Sequence, residues 1–217
     1  AARHHLMVVF HGATLPRGWQ RTYPNLMTTE AVYGAEWYNN NNTMTHAAAC
    51  HNATLPFTRN IVGSMDYTPG TFTDSQYPHI TTHAHELALP ILFESALLHN
   101  PDRPSAYEAM PTLVKKLFAT LPTVWDETRL LSGYPGTSVV IARRKGNTWY
   151  VGGINGTDQK LTLSLSPYQL APNAKTFTLF TDGSDGRSFI IDAAKTTQQT
   201  IKIDCLPRGG LVAVIRR

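Results

Sequence analysis

The sequence predicts an α/β half over residues 1–121, followed by an antiparallel all-β half over residues 122–217. Two observations lead to this prediction. Before Leu121, apolar strand-like runs alternate with segments of helical spacing. After it, short alternating strands are separated by turn residues. A chain of 217 residues has room for one large domain or two small ones.

The first half opens with a short apolar run, MVVF at residues 7–10, that ends in a loop. Such a run with β-branched residues is typical of a buried strand. Residues 85–99 and 107–118 place apolar side chains near helical spacing, and each segment contains a proline, where a kink or an early helix start is expected. Strands alternating with helices indicate a piece of an α/β sheet or barrel.

The second half contains a clear hairpin, SVVIARRK and TWYVGGIN, joined by the two-residue turn Gly146-Asn147. Leucines at 161, 163 and 165 alternate with small polar residues, which predicts one face in a core and the other in water. We expect about seven antiparallel strands. The remaining five are KLTLSLS, KTFTLF, RSFIID, QTIKID and GLVAVIR.

Composition excludes several function classes. The net charge of +4 comes from scattered basic residues, and nucleic-acid binding, which needs a continuous basic face, is not expected. No apolar run reaches the roughly 18 residues of a membrane span, and the N-terminal apolar run is too short for a secretory signal. Cys50 and Cys205 lie far apart in the sequence, so a disulfide is not expected. They also lack the spacing of a metal-thiolate site.

Two carboxylates, Glu30 and Glu36, stand in a stretch that is otherwise poor in charge, RTYPNLMTTEAVYGAEW. A spacing of six does not place them on one helical face, but a loop containing Gly34 lets them converge. Spacing alone leaves a solvated surface and a functional site both open. Aromatic neighbours beside acids are typical of a sugar pocket, and here they are Trp19, Tyr23, Tyr33, Trp37 and Tyr38.

Other candidates have two interpretations each. His11 follows a predicted buried strand and is either structural or functional, and Arg21 either pairs with an acid or holds a substrate oxygen. Asp66 precedes a Pro-Gly turn and is either a turn cap or a site residue. The DGSDG at 182–186 lacks the spacing and closing Glu of an EF-hand, which predicts a hairpin turn. Phosphate-loop, nucleophile-elbow and zinc-protease motifs are missing from the sequence, which leaves a carboxylate-centred site.

Three long segments, in this order, resemble glycoside hydrolase family 97: HGATLPRGWQRTYPNLMTTEAVYGAEW, ATLPFTRNIVGSMDYTPG and WDETRLLSGYPGTSVVIARRKGNTWYVGGING. The resemblance implies an exo-acting α-glycosidase with a calcium ion (Ca2+) in its active site. It identifies residues 1–121 with the C-terminal part of a (β/α)8 TIM barrel and residues 122–217 with an antiparallel β-sandwich-like domain. It also implies an α-glycoside or oligosaccharide substrate, and location in the periplasm or outside the cell.

By position, Glu36 matches the family's general acid, and Glu30 matches a carboxylate ligand of the calcium ion, with Glu36 as a further ligand. A general acid must hold its proton until the glycosidic oxygen departs, and calcium takes hard oxygen ligands, so both residue types suit these roles. The residues expected around the substrate are His11, Arg21, Trp37, Asp66 and Tyr67.

Gly12 stands where inverting members carry the glutamate that activates water, so the resemblance implies the retaining branch. That branch favours α-galactosidase-type specificity, with α-glucosidase as the alternative. The family's N-terminal sandwich and early barrel strands, including the strand with the nucleophile, have no counterpart in these residues. We therefore expect a fragment, a truncated product or a chain that needs its other half. A non-catalytic carbohydrate-binding or oligomerisation module is the competing hypothesis, and a homo-oligomer is a further expectation.

Overall fold

The computed structural model describes residues 1–194 and 200–217, and its C-terminal half is mostly antiparallel sheet, preceded by a part in which helices dominate. Three short 3-10 helices cover Ala2–His4, Leu55–Phe57 and Arg59–Val62. The α-helices are α1 (Trp19–Thr22), α2 (Ala35–Asn40), α3 (Asn42–Thr54), α4 (His83–Leu92), α5 (Pro104–Glu108), α6 (Thr112–Thr120) and α7 (Pro167–Leu170). No helix in the described part of the chain is long and apolar enough to cross a membrane.

The first half contains two strands, β1 (Val8–Phe10) and β2 (Leu26–Thr29), which pair in parallel. A parallel bridge between Thr29 and Met65 adds a third extended segment beside β2. A strand is therefore confirmed in this segment, but its predicted burial is wrong: Val8 and Val9 are only partly buried, and Met7 and Phe10 are exposed. All three segments run in the same direction, so their carboxyl ends meet at one edge.

The described residues of the second half form eight strands in two sheets. A six-stranded antiparallel sheet has the order β3-β4-β5-β10-β7-β8, and β6 pairs with β9 as a separate ribbon. The strands are β3 (Glu127–Tyr134), β4 (Ser138–Lys145), β5 (Thr148–Asn155), β6 (Leu161–Leu165), β7 (Thr176–Asp182), β8 (Phe189–Ala194), β9 (Ile201–Cys205) and β10 (Gly210–Arg216).

Most predicted strands of this half are confirmed. Lys145 pairs with Thr148 across the predicted two-residue turn, and Leu163 and Leu165 are buried while their neighbours are exposed. The DGSDG segment connects β7 to β8, as a hairpin turn should. Gln199, the first residue of the predicted QTIKID strand, lies outside the described residues. Strand β3 was not predicted.

The predicted helices are corrected in extent. Helical spacing was expected over residues 85–99, but α4 ends at Leu92 and residues 93–99 leave the helix. In residues 107–118 the helix start expected at the proline is confirmed, because α6 begins directly after Pro111, which separates it from α5. Proline lacks the backbone N–H that a helix interior needs, so it ends or starts a helix more readily than it continues one.

The six-stranded sheet is covered on both faces. The β6-β9 ribbon packs on one face around Trp149, and helix α4 packs on the other around Ile141 and Val212. All ten residues of α4 are buried. The core that contains α4 draws residues from both halves of the chain, and the domain boundary after residue 121 remains a prediction.

Contacts at both ends fix α4 on the sheet. At its N-terminus the Thr82 hydroxyl accepts from the backbone of His85 and donates to Asp182 of β7 at 2.5 Å. At its C-terminus the buried Arg143 of β4 donates to the carbonyl oxygens of Ile91 and Leu92 at 2.6 and 3.0 Å. A cation at this end also favours the helix dipole.

Two glycines let α4 lie close to the strands. A Cβ atom on Gly152 would meet the Ala88 carbonyl oxygen at 3.0 Å, and one on Gly210 would meet the His85 Cα at 2.7 Å. The neighbouring atoms are backbone, so they cannot rotate away. The helix and the sheet can approach this closely only because no side chain stands between them.

We expect Gly210→Ala to destabilise the chain by about 1–3 kcal/mol, because the added methyl group overpacks a rigid backbone contact. Urea unfolding followed by circular dichroism measures the change. Ser164→Ala, on the exposed face of β6, is the control and should change the free energy of unfolding by less than about 0.5 kcal/mol. Equal stability of wild type and Gly210→Ala would contradict this account of the packing.

Candidate active site

Three site residues directly follow the three parallel segments of the first half. His11 follows Phe10 of β1, Glu30 follows Thr29 of β2, and Asp66 follows Met65. Because the carboxyl ends of these segments meet at one edge, the side chains converge there. Ligand atoms of His11, Glu30 and Glu36 lie within 4.8 Å of one another.

Glu36 reaches this edge from the first turn of α2. The turn is held by a hydrogen bond from the Ala35 N–H to the Tyr67 carbonyl oxygen at 2.9 Å. A Cβ on Gly34 would lie 2.7 Å from the same oxygen, so only glycine permits this approach. Carboxylate oxygens of Glu36 and Glu30 lie within 4.8 Å of each other. The predicted convergence of the two acids in a Gly34-containing loop is thus present in the structure.

A hydrogen bond to Asp66 and a longer charge contact with Glu30 place His11 between two acids. Its Nε2 lies 2.7 Å from Asp66 Oδ2, and its Nδ1 lies 3.7 Å from Glu30 Oε1. Asp66 is fully buried and also contacts His99 Nδ1 at 2.6 Å through the same oxygen. The Gly12 N–H donates to Glu30 Oε2 at 2.5 Å. Each carboxylate therefore has a defined direction.

The charges at this edge shift the protonation of two groups. Partial burial, together with the hydrogen bond and negative charge of Glu30, raises the pKa of Glu36. Burial lowers the pKa of His11, but the hydrogen bond to Asp66 and the charges of the surrounding carboxylates outweigh it, so the net shift is upward. Both shifts favour protonated side chains next to Glu30.

An open cleft of about 830 Å³ adjoins this edge, and Glu30 is the member of the cluster that lines it. Glu30 and Gly12 lie at one side of it, and the exposed rings of Tyr33 and Trp37 pack edge to face at the other, with centroids 5.2 Å apart. A Cβ on Gly12 would meet no atom within 4 Å. The space beside Gly12 is therefore free for a ligand.

Comparisons with known proteins give a consistent result. Residues 1–32 match the family model described as "Glycoside hydrolase 97", and residues 124–216 match the model described as "Glycosyl-hydrolase 97 C-terminal, oligomerisation". The chain belongs to glycoside hydrolase family 97. The resemblance seen in the sequence is thereby confirmed.

Individual relatives within and around family 97 are similar over almost the whole chain. The chain is 39% identical to a probable retaining alpha-galactosidase of Streptomyces bingchenggensis over 98% of its length. It is 32% identical to a retaining alpha-galactosidase of Bacteroides thetaiotaomicron over 99% of its length. The crystal structure of a beta-arabinopyranosidase superposes with a TM-score of 0.89 at 33% identity, covering 98% of this chain and 35% of that one. The chain spans 32% and 34%, about a third, of the two curated relatives.

The structure brings together most, but not all, of the residues predicted for this family 97 site. Glu30, Glu36, His11 and Asp66 meet at one edge, and Trp37 lines the adjoining cleft. The remaining two predicted substrate contacts lie elsewhere, and the assigned roles remain predictions.

Tyr67 is fully buried, and its hydroxyl donates to Asn52 while its ring packs against Phe93. Arg21 is exposed on α1, and among the described residues it forms no ion pair or side-chain hydrogen bond. Neither residue lines the cleft.

Two residues that support the site were not predicted. Arg59 is buried beside the end of β2, where it donates to the carbonyl oxygens of Thr29, Glu30 and Ala31. Glu86 is the single carboxylic acid of the mostly apolar helix α4, and that contrast could have singled it out in the sequence.

Glu86 anchors the helix that carries Glu36. It is fully buried and accepts hydrogen bonds from Tyr38 of α2 at 3.0 Å and from Thr81 at 2.5 Å. Burial raises the pKa of Glu86 to about 7, although these hydrogen bonds and one from the Thr71 backbone oppose the shift. The position of α2 thus depends on a buried carboxyl group of α4.

The donor set at the edge fits the calcium ion that the family resemblance implies. Glu30 and Glu36 present oxygen atoms, which are the ligands calcium prefers, and their mutual approach requires a shared proton or a cation to offset the repulsion. His11 offers nitrogen, which calcium does not favour. Glu30 and Glu36 are the residues that would hold the ion.

We expect the stability of the chain to fall as pH rises through 7 because of Glu86. Its pKa in the folded state is about 7 and its ordinary value is 4.5, so the folded form holds a proton that the unfolded form loses between these values. The contribution is complete below pH 4.5, is lost as pH rises through 7, and has an order of magnitude of about 3 kcal/mol.

Urea unfolding at pH 5 and pH 8 measures this effect. Glu86→Gln, which keeps the shape of the side chain but cannot ionise, should flatten the pH dependence relative to wild type. Glu108→Gln, at an exposed position on α5, is the matched control and should retain it. An unchanged pH dependence in Glu86→Gln would show that another group is responsible.

Proposed function

We propose that this chain forms part of a retaining, calcium-dependent, exo-acting α-glycoside hydrolase that acts on α-galactosides. The observation that carries the proposal is the meeting of Glu30 and Glu36 beside His11, next to a cleft lined by Glu30 and Trp37. Glycoside cleavage requires a carboxyl group that donates a proton to the leaving oxygen, and this pair supplies one.

We also propose that the parallel segments belong to a (β/α)8 barrel. The ladder of β1, β2 and Met65 is parallel, and a site residue follows each segment at its carboxyl end. Barrel enzymes place their catalytic groups at that end of the strands, so the arrangement supports the proposal. The Met65 N–H bonds to the Glu94 carbonyl oxygen at 3.0 Å, which continues the ladder toward residues 93–95.

In this mechanism Glu36 gives its proton to the departing glycosidic oxygen. In the second step it takes a proton from the water that releases the sugar. Asp66 accepts from the Nε2–H of His11 and turns Nδ1 toward Glu30, so that Nδ1 is a donor in the imidazolium form of His11. We do not assign the attacking carboxylate to a residue of this chain.

A calcium ion, when bound by Glu30 and Glu36, supplies positive charge against the negative charge of these side chains. Gly12 contributes no side chain to the cleft, where a glutamate would be needed to activate water for inversion. This supports the retaining course of the reaction.

The sugar is proposed from the relatives, whose names specify alpha-galactosides. α-Glucosides are the alternative within the family. We further propose location in the periplasm or outside the cell, which cell fractionation of the source organism can test.

The partner is proposed to be a second copy of the chain, joined through the C-terminal half. The description of the matching family model includes oligomerisation. Strand β3 forms one edge of the large sheet, and Leu130 and Tyr134 on it are exposed. Such an edge favours pairing with another chain. Sedimentation equilibrium tests this, and a monomer at all concentrations would refute it.

Glu36→Gln tests the role of the general acid in a chimera that supplies the remaining two thirds from a relative. We expect the rate on α-galactosides with poor leaving groups to fall by about 10²–10⁴-fold, because these substrates need the proton. Activated aryl galactosides should lose far less, since their leaving group departs unprotonated. Glu108→Gln is the control. Equal losses on both classes of substrate would contradict the assignment.

Hydrolysis of 4-nitrophenyl α-galactoside and α-glucoside by the chain as it stands, with and without calcium, tests the wider proposal. Calcium-dependent release would identify the sugar and show that an attacking group exists within the chain or its assembly. Absence of release from the chain, together with calcium-dependent activity of the chimera, would place the attacking group outside the chain. An inactive chimera would count against the proposed function.

A further inference from the structure

The side chain of Arg59 lies against the backbone at the end of β2, next to Glu30. It is buried, at 6% exposure, and its three nitrogens lie within 3.0–3.3 Å of six oxygen atoms. Those on the β2 side are the hydroxyl oxygen of Thr29 and the carbonyl oxygens of Thr29, Glu30 and Ala31. No ion pair among the described residues involves Arg59. Backbone carbonyl oxygens accept most of the hydrogen bonds of its guanidinium group.

These contacts surround an unusual turn. Ala31 has a φ of 43°, in the left-handed region that residues other than glycine rarely adopt. Arg59 binds the carbonyl oxygens of Glu30 and Ala31, on either side of that strained φ. A strained backbone persists only where its surroundings hold it, and here the guanidinium group does so.

The turn determines where the Glu30 side chain points. Since the backbone is held from the Arg59 side, the carboxylate extends toward β1, where it accepts from the Gly12 N–H and approaches His11. If the turn relaxed, Glu30 would lose the direction that brings it to Glu36.

Arg59 also joins a second part of the site. Its Nη1 and Nη2 each lie 3.0 Å from a carbonyl oxygen, those of Gly63 and Ser64, just before the segment that carries Asp66. One planar group with five fixed donors therefore sets the end of β2 against the neighbouring parallel segment. Lysine has the charge but not this geometry.

We propose that Arg59 is the positioning residue of the cation site, and that it acts by fixing the Glu30 carboxylate toward Glu36. Its guanidinium nitrogens bond to protein oxygens, and although the residue also borders the cleft, the role we assign to it is to position Glu30. This inference rests on the proposed function, since it assumes that Glu30 and Glu36 bind a cation.

Terbium binding to the chain tests the inference without relying on catalysis. Tb³⁺ replaces calcium at oxygen sites, and Trp37 and Tyr33, which line the adjoining cleft, can sensitise its luminescence. We expect Arg59→Ala to weaken terbium binding by about 10–100-fold, the usual loss when a partner that orients a ligand is removed. Guanidinium chloride added to Arg59→Ala, well below denaturing concentrations, should restore part of the affinity for terbium. The affinity of Arg59→Lys should remain below that of the rescued Arg59→Ala.

Leu163→Ala is the control. Leu163 is buried in the core on the β6-β9 face of the large sheet, which contains no residue of α4 or of the carboxylate cluster. Leu163→Ala should lower the urea midpoint, as we expect of Arg59→Ala, yet leave terbium affinity within about twofold of wild type.

The outcomes separate the two proposals. Wild-type affinity in a folded Arg59→Ala would overturn this inference and leave the proposed cation site standing. A wild-type chain that binds no terbium would overturn the cation site, and with it the role of Arg59. If Arg59→Ala does not fold, Arg59→Lys decides: affinity equal to wild type would contradict the need for a planar donor set, and weaker binding in a folded protein would support it.

Discussion

The structure depends on the close seating of helix α4 on the six-stranded sheet. The helix is buried all round, which a soluble chain tolerates only where other elements cover every face. The sheet covers one face, and Gly152 and Gly210 allow the two backbones to approach. Thr82 and Arg143 tie its ends to strands of the second half. Helix α4 lies in the first half of the sequence, but it packs against residues of both halves.

Helix α4 in turn holds the helix that carries Glu36, one of the two carboxylates. Glu86 on α4 holds Tyr38, and Tyr38 lies two residues beyond Glu36 on α2. The other carboxylate has a separate support, since the contacts of Arg59 fix the end of β2 before Glu30. The two acids that meet at the edge are thus held by different buried charged residues. Burying a charge is costly unless its hydrogen bonds are satisfied, so both supports are sensitive to substitution.

Where one physical signal dominated, the fold could be predicted from the sequence. The residues of the two-residue turn Gly146-Asn147 predict a hairpin. The alternation in β6 predicts a strand with one buried face, because such a strand has a period of two residues. Strand β3 was not predicted because most of its residues are exposed on both faces, so the strand has no alternation of buried and exposed positions. The extent of α4 was overestimated because the apolar residues beyond Leu92 lie in irregular chain, where Phe93 is buried and Leu97 and Leu98 are partly buried without a helix.

The site was predictable only in part. Spacing could not decide whether Glu30 and Glu36 meet, and resemblance to the family supplied that expectation. Arg59 could not be found from sequence because its partners are mostly backbone oxygens, which carry no sequence signal. Tyr67 looked like a sugar contact since aromatics beside acids suggest one, but its position directly after Asp66 directs it into the core.

The shared core bears on whether the β-rich half acts as an independent binding module. A module that functions alone needs a core that closes within its own residues. Here one face of the sheet is completed by α4, whose Glu86 in turn supports the site. Removing the sheet would expose α4, and removing α4 would expose Val212 and Ile141 on the sheet. The second half is therefore better understood as structural support for the carboxylate site than as a separate unit, and its contribution to chemistry is the rigidity of the helix that it buries.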